Sequence, residues 1–203
     1  MVPGAHLMRL LVRAGRPLRR AGFSLMEMLV VVAVTGILAT MAAPALISTL
    51  DSYRRATLSS RLMSDLALAR SKALVLGKSV ALCGWNGSEN APACSGKTGS
   101  GAATKSDWSK GWYMYLGSNA TVGTVVIRKP EAVPSGWVVD AHLGVMNYST
   151  FSARSDATGI GHFTIYRSGA TTAACVTLSD AGRARASTAS VSTGTVSASN
   201  DPC

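Results

Sequence analysis

The chain has 203 residues, a formal charge of +10, four cysteines and three histidines. No Gly-rich phosphate loop followed by Lys and Ser or Thr occurs in it, which argues against a nucleotide-driven motor, and its cysteines have neither the tight pairing nor the neighbouring histidines of a zinc site. Five of the positive residues, Arg9, Arg13, Arg16, Arg19 and Arg20, stand before Gly22 with no acidic residue among them; the fifteen Lys and Arg that follow, against ten Asp and Glu, permit polyanion binding without requiring it.

Three features follow one another at the N-terminus: the basic segment, the string Gly22-Phe23-Ser24-Leu25-Met26-Glu27, and a largely apolar stretch to about Leu50. An ordinary secretory signal is cleaved after its apolar core, yet here Pro44 follows the small residues Ala39 to Ala43 and Glu27 lies inside the core. A plain membrane anchor accounts for Met28 to Ile47, about 20 residues against roughly 30 Å of hydrocarbon, but not for Glu27. A carboxylate in lipid costs on the order of 3 kcal/mol, so a partner is expected, and an amine at the membrane face is the obvious one.

These residues resemble the N-terminus of the type IV pilin and pseudopilin superfamily: a basic leader ending in Gly22, then Phe23, with Glu27 fifth in the mature chain. The resemblance implies that a prepilin peptidase cuts between Gly22 and Phe23, that the new Phe23 amine is methylated, and that Glu27 pairs with such an amine during assembly. That pair would neutralise a charge in lipid and fix the axial register of neighbouring subunits. Met26 and Met28 replace more usual aliphatic residues while keeping size and apolarity.

Gly36 and Pro44 interrupt the apolar segment, as they commonly do in pilins. A proline inside a helix removes one hydrogen bond and costs roughly 3 kcal/mol, so a kink or a locally melted stretch is expected between them. Beyond Pro44, residues Leu58, Leu62, Leu66, Ala69, Ala73 and Leu76 recur at steps of three and four and form one helical face, predicted to pack on a sheet. Arg54, Arg55, Arg61, Arg70 and Lys72 fall largely off that face and are expected in solvent, and Gly77 is a natural helix stop.

After Gly77 the pattern changes to six strand-like runs: Lys78 to Cys83, Trp112 to Leu116, Thr124 to Ile127, Trp137 to Val139, Gly161 to Tyr166 and Ala174 to Leu178. The segment Gly84 to Ser109 reads as a long loop, and Ser187 to Asn200 as a tail of low complexity. The expected fold class is α+β: a long N-terminal helix, transmembrane in its first half, packed by its second half on a mainly antiparallel sheet head. The domain reading is a cleaved leader at 1–22, a hydrophobic transmembrane and assembly helix at 23–50, and a globular head at 51–203.

Cys83, Cys94, Cys175 and Cys203 are even in number and follow an export-type N-terminus, so disulfides are expected. Of the three possible pairings, Cys83 with Cys94 and Cys175 with Cys203 is favoured, because the first pair is close in sequence and the second ties down a loose end. His142 and His162 read as ordinary strand or loop histidines, and Trp85, Trp108, Trp112 and Trp137 as core fillers rather than a ligand surface. No catalytic residue, cofactor or metal is expected.

The head is similar to the FimT and GspH group of minor pilins and pseudopilins in Leu66-Ala67-Leu68-Ala69-Arg70-Ser71-Lys72-Ala73, Val80-Ala81-Leu82-Cys83, Lys110-Gly111-Trp112 and Ser179-Asp180-Ala181-Gly182-Arg183. The resemblance implies a minor pilin of a type IV pilus, with a pseudopilin of a type II secretion system as the alternative. It implies as partners the prepilin peptidase, other major and minor pilins and the inner-membrane assembly platform. It also implies a single-pass inner-membrane protein with a periplasmic head, carried into a pilus or pseudopilus on assembly.

Gly182-Arg183-Ala184-Arg185 is similar to a Gly-Arg-x-Arg element linked in FimT-like subunits to DNA capture for natural transformation. If the segment is extended, alternation points Arg183 and Arg185 to one face, where two guanidiniums can grip adjacent phosphates. The competing reading is that paired arginines after a turn merely protect a solvated edge strand.

Overall fold

The computed structural model describes residues 22–89, 93–98, 104–118, 125–154, 156–192, 194–197 and 200–203. The expected leader, up to residue 21, lies outside the described residues, as do parts of the expected loop and tail and the first residue of the run Thr124 to Ile127. The chain divides into two compact units, Met1–Ala45 and Leu46–Cys203.

One helix, α1, runs over Leu25–Leu76. It opens where Ser24 Oγ accepts the Met26 backbone N–H at 3.3 Å, a side-chain cap for a donor that lacks an intrahelical partner. In the first unit the described part of α1 is exposed and apolar, and α1 contains a segment long and apolar enough to cross a membrane. The backbone is helical at Gly36, at Pro44 and at every residue between, so the expected melted stretch is not present in this single chain. One proline removes only one rung of the helix ladder, and the flanking residues are otherwise good helix formers.

In the second unit α1 becomes amphipathic. Leu58, Leu62, Leu66, Ala69 and Ala73 are buried, whereas Leu76, the last helical residue, is 46 % exposed. Gly77 follows at φ 61°, the left-handed geometry that ends helices and that a side chain would disfavour. Two of the arginines expected in solvent are engaged instead. Arg61 lies over the Trp112 ring, 4.7 Å from its centroid, and pairs with Glu131 at 3.3 Å; Arg70 donates to the Gly182 carbonyl at 3.5 Å. Long stems let such residues sit beside an apolar stripe while their heads find partners.

The strands are β1 Val80–Gly84, β2 Lys97–Thr98, β3 Lys105–Asp107, β4 Trp112–Leu116, β5 Val126–Arg128, β6 Trp137–Leu143, β7 Ser149–Phe151, β8 Ala157–Thr158, β9 Gly161–Arg167, β10 Thr172–Leu178 and β11 Ala184–Ser190. They form two antiparallel sheets, one ordered β5-β4-β1-β7-β8 and the other β11-β10-β9-β6-β3-β2. The six expected runs correspond to β1, β4, β5, β6, β9 and β10. The other five strands carry short, small or polar sequences without apolar alternation, and pairing to a neighbour supplies what propensity does not. β6 runs four residues beyond the expected Val139, because Asp140 and His142 break its apolar pattern yet lie on the face turned away from the core.

The main core joins the α1 stripe to both sheets: Val80, Leu82, Trp112, Met114 and Phe151 from the first, Val139, Ala141, Phe163, Ile165, Val176 and Leu178 from the second. Trp108, Trp112 and Trp137 are buried in it, with Trp108 and Phe163 edge to face at 4.8 Å. A smaller cluster of Ala81, Cys83, Tyr113 and Tyr115 covers the other face of the first sheet, and Tyr166, Ala173 and Val196 lie on the other face of the second. Val196 belongs to the C-terminal segment, so that segment covers the outer face of the second sheet.

Candidate functional site

Gly22 and Phe23 precede α1, and Phe23 is 77 % exposed. Glu27 is exposed in the first turn, the third helical residue after the Ser24 cap, where the helix dipole favours an anion. The carboxylate therefore has a local physical use in the single chain, beside any use in assembly.

Disulfides join Cys83 to Cys94 and Cys175 to Cys203. The first links β1 to the segment where Trp85 and Cys94 form an isolated bridge. The second fixes the chain terminus to β10, on the outer face of the second sheet.

Gly182, Arg183 and Arg185 lie at the edge of that same sheet. The turn Ser179–Gly182 needs a left-handed residue at Gly182, φ 68°, and Ser179 N–H and Oγ each bond to the Arg183 carbonyl, at 3.1 and 3.3 Å. β11 then leaves this turn as the edge strand, with Arg185 opposite the exposed Thr177. Arg183 and Arg185 are both exposed and line one open groove with Thr177, Ser179 and Ala181. No salt bridge involves either of them among the described residues. A second hollow is lined by the two arginines together with Met63, Ala67 and Arg70 of α1. The sequence does not bring Arg70 to this element; the packing of α1 against the sheet does.

A separate polar cluster was not legible in the sequence. His142 of β6 and His162 of β9 are directly opposite in the antiparallel ladder, with rings stacked at 4.9 Å between centroids and 10° between planes. Asp201 of the C-terminal segment completes the group: its Oδ2 is 2.6 Å from His162 Nε2 and 3.6 Å from His142 Nδ1, and its Oδ1 accepts from Thr164 Oγ1 at 2.7 Å. Burial would raise the Asp201 carboxyl, but hydrogen bonds from His162, Thr164 and the Cys203 N–H, with His142 nearby, bring it down to about 2. Burial lowers His142, and the neighbouring Asp201 only partly offsets it.

Next to this group Asp140 is buried, pairs with Lys105 Nζ at 2.5 Å and accepts from Tyr166 Oη at 2.9 Å. Burial, and then the Asp140 charge and hydrogen bond, push the Tyr166 hydroxyl well above its usual range. The two histidines are twenty positions apart, and only the register of β6 on β9 makes them neighbours. The one sequence signal is alternation, which places Asp140 with His142 and His162 with Thr164.

Two family models match the sequence. A family model described as type II transport protein GspH matches residues 58–194, and one described as prokaryotic N-terminal methylation motif matches residues 17–43. No curated protein sequence matches the chain. Two crystal forms of the type IV minor pilin FimU from Pseudomonas aeruginosa strain PAO1 are similar in structure. One is 16 % identical, with 67 % of this chain and 90 % of that chain covered and a TM-score of 0.49. The other is 17 % identical, with 64 % and 90 % covered and a TM-score of 0.46. With the GspH model spanning most of the head and the methylation motif at its N-terminus, the chain belongs to the GspH family of type IV pilin-like minor pilins and pseudopilins.

Proposed function

We propose that the protein is a minor subunit of a type IV pilus that contacts the DNA backbone through Arg183 and Arg185. In this reading residues 1–22 are a leader removed by a prepilin peptidase, 23–50 hold the subunit in the inner membrane, and 51–203 form a periplasmic head. Glu27 meets the methylated amine of Phe23 on a neighbouring pilin, a pairing that becomes buried only when subunits pack together. Major and minor pilins and the assembly platform are the partners, and an ATPase acts in trans.

The observation that carries the DNA reading is the exposed arginine pair, free of salt bridges among the described residues, in one groove beside the Gly182 turn. Backbone contacts of this kind carry no sequence preference. Full-length protein in detergent should bind duplex DNA weakly, in the micromolar range at moderate salt, and lose affinity steeply as salt rises. An Arg183→Ala, Arg185→Ala double variant should bind about tenfold or more weakly, with a log–log salt slope smaller by about 2. Fluorescence anisotropy against salt measures both; equal binding and slope in the folded double variant would leave the pair as edge protection.

The description of the matched family as type II transport proteins favours a second reading, a pseudopilin of a type II secretion system. The N-terminal mechanics are common to both roles. Incorporation of the epitope-marked subunit into pili, rather than loss of protein secretion on its deletion, separates them.

A further inference from the structure

We propose that His142, His162 and Asp201 form a binding site for one divalent transition-metal ion of the zinc class, clamping the C-terminal segment onto the second sheet. Their ligand atoms all lie within 4.8 Å of one another and come from three separate segments, β6, β9 and the terminus. Around a tetrahedral ion with ligands at roughly 2.0 to 2.1 Å, donor atoms sit about 3.3 Å apart. The 3.6 Å between His142 Nδ1 and Asp201 Oδ2 already fits that spacing, the 2.6 Å between His162 Nε2 and Asp201 Oδ2 has to open by about 0.7 Å, and the two imidazoles, stacked with 10° between their planes, have to turn out of parallel for both lone pairs to reach one ion.

The surroundings suit a cation. Thr164 Oγ1 and the Cys203 backbone N–H both hold Asp201 Oδ1, at 2.7 and 3.1 Å, leaving Oδ2 for the ion. On binding, the proton between His162 Nε2 and Asp201 moves to Nδ1 of that ring or leaves to solvent, and the ion takes its place. Water fills the fourth position, as the donors supplied by the protein are two imidazoles and one carboxylate.

The clamp would reinforce what the Cys175–Cys203 bond already does two residues away, and a reducing challenge should therefore show it most clearly. The test uses the full chain without a histidine tag, stripped with a chelator and titrated with Zn2+ alone by calorimetry, with Co2+ absorption as a check on coordination number. The expected result is one equivalent bound, with low-coordinate Co2+ bands and a higher Tm that a chelator reverses. His162→Gln and Asp201→Asn should each lose the stoichiometric uptake, while the milder Thr164→Val should weaken it by about tenfold or more. Absence of stoichiometric uptake by folded wild-type protein would overturn the site. So would undiminished uptake by both ligand variants, which would place the ion elsewhere and leave His162 and Asp201 as a hydrogen-bonded strap.

Discussion

Replacing Leu62 with alanine should lower the stability of the head by about 3 kcal/mol or more, within the 2–5 kcal/mol range of such truncations. Leu62 has no exposed surface and is one of the five buried apolar residues of α1 that share the main core with both sheets. Its neighbours on either side along the stripe, Leu58 and Leu66, are held by the same helix, so α1 cannot collapse into the space without dragging them along. The loss should therefore approach the full cavity cost rather than the transfer term alone. For a domain of this size that is a fall in Tm of about 6 to 12 °C. Leu74 provides the control: it lies on the same helix but is 51 % exposed, and Leu74→Ala should shift stability by about 0.5 kcal/mol or less. Denaturant unfolding with both disulfides intact, followed by tryptophan fluorescence, compares the two. Equal costs for Leu62→Ala and Leu74→Ala would mean that the stripe is not what joins the helix to the sheets.

That stripe was plain in the sequence because an amphipathic helix writes its burial at a fixed period. Trp108, Trp112, Trp137 and the longer apolar strands were legible for a similar reason: large apolar side chains seek the core, and β4, β9 and β10 carry theirs in unbroken or alternating runs. β11 was not, since Ala184–Ser190 has no large apolar side chain and is a strand only because β10 offers its edge. β3 is equally silent, three residues Lys105–Asp107 inserted between β2 and β6. Small and polar strands of this kind are fixed by pairing, a non-local property that composition does not carry.

The candidate sites divide along the same line. The arginine pair is local, set by a glycine turn and the two-residue repeat of a strand, so its residues could be read in order. The His142–His162–Asp201 group depends on the β6 and β9 register and on a C-terminal segment folded back over the sheet, with positions 142, 162 and 201 as distant in sequence as the contact is close in space. Asp140 and His142 sit on the sheet face that an isolated two-layer packing would leave in water. Covered by the terminus, they become a buried polar network, and a polar residue in a strand stops being a sign of solvent.

Asp65 is the other place where a polar residue was hidden by the helix pattern, and Asp65→Ala should cost about 2 to 3 kcal/mol. Its carboxylate is 1 % exposed, accepts from Trp112 Nε1 at 2.8 Å through one oxygen and pairs with Arg128 through the other. The pair thus ties α1 to β4 and β5 at once. Removing the carboxylate leaves a buried indole N–H with no acceptor, which is the larger part of the loss. Arg128 keeps 40 % of its side chain exposed and can be rehydrated, so the loss stays below the 3–5 kcal/mol of breaking a wholly buried pair. Asp65→Asn should cost less, about 1 to 2 kcal/mol, because its amide oxygen can still accept from Trp112 while the charge on Arg128 goes unanswered. Arg128→Ala strands the opposite charge, now buried, and in the Asp65→Ala, Arg128→Ala double variant that penalty vanishes, so the two single costs should sum to more than the double. Because one partner is buried, the coupling should persist at high salt where a surface pair would fade. Strict additivity, or a coupling erased by salt, would show that Asp65 acts on Trp112 alone and that the contact to Arg128 adds nothing to the joint between helix and sheet.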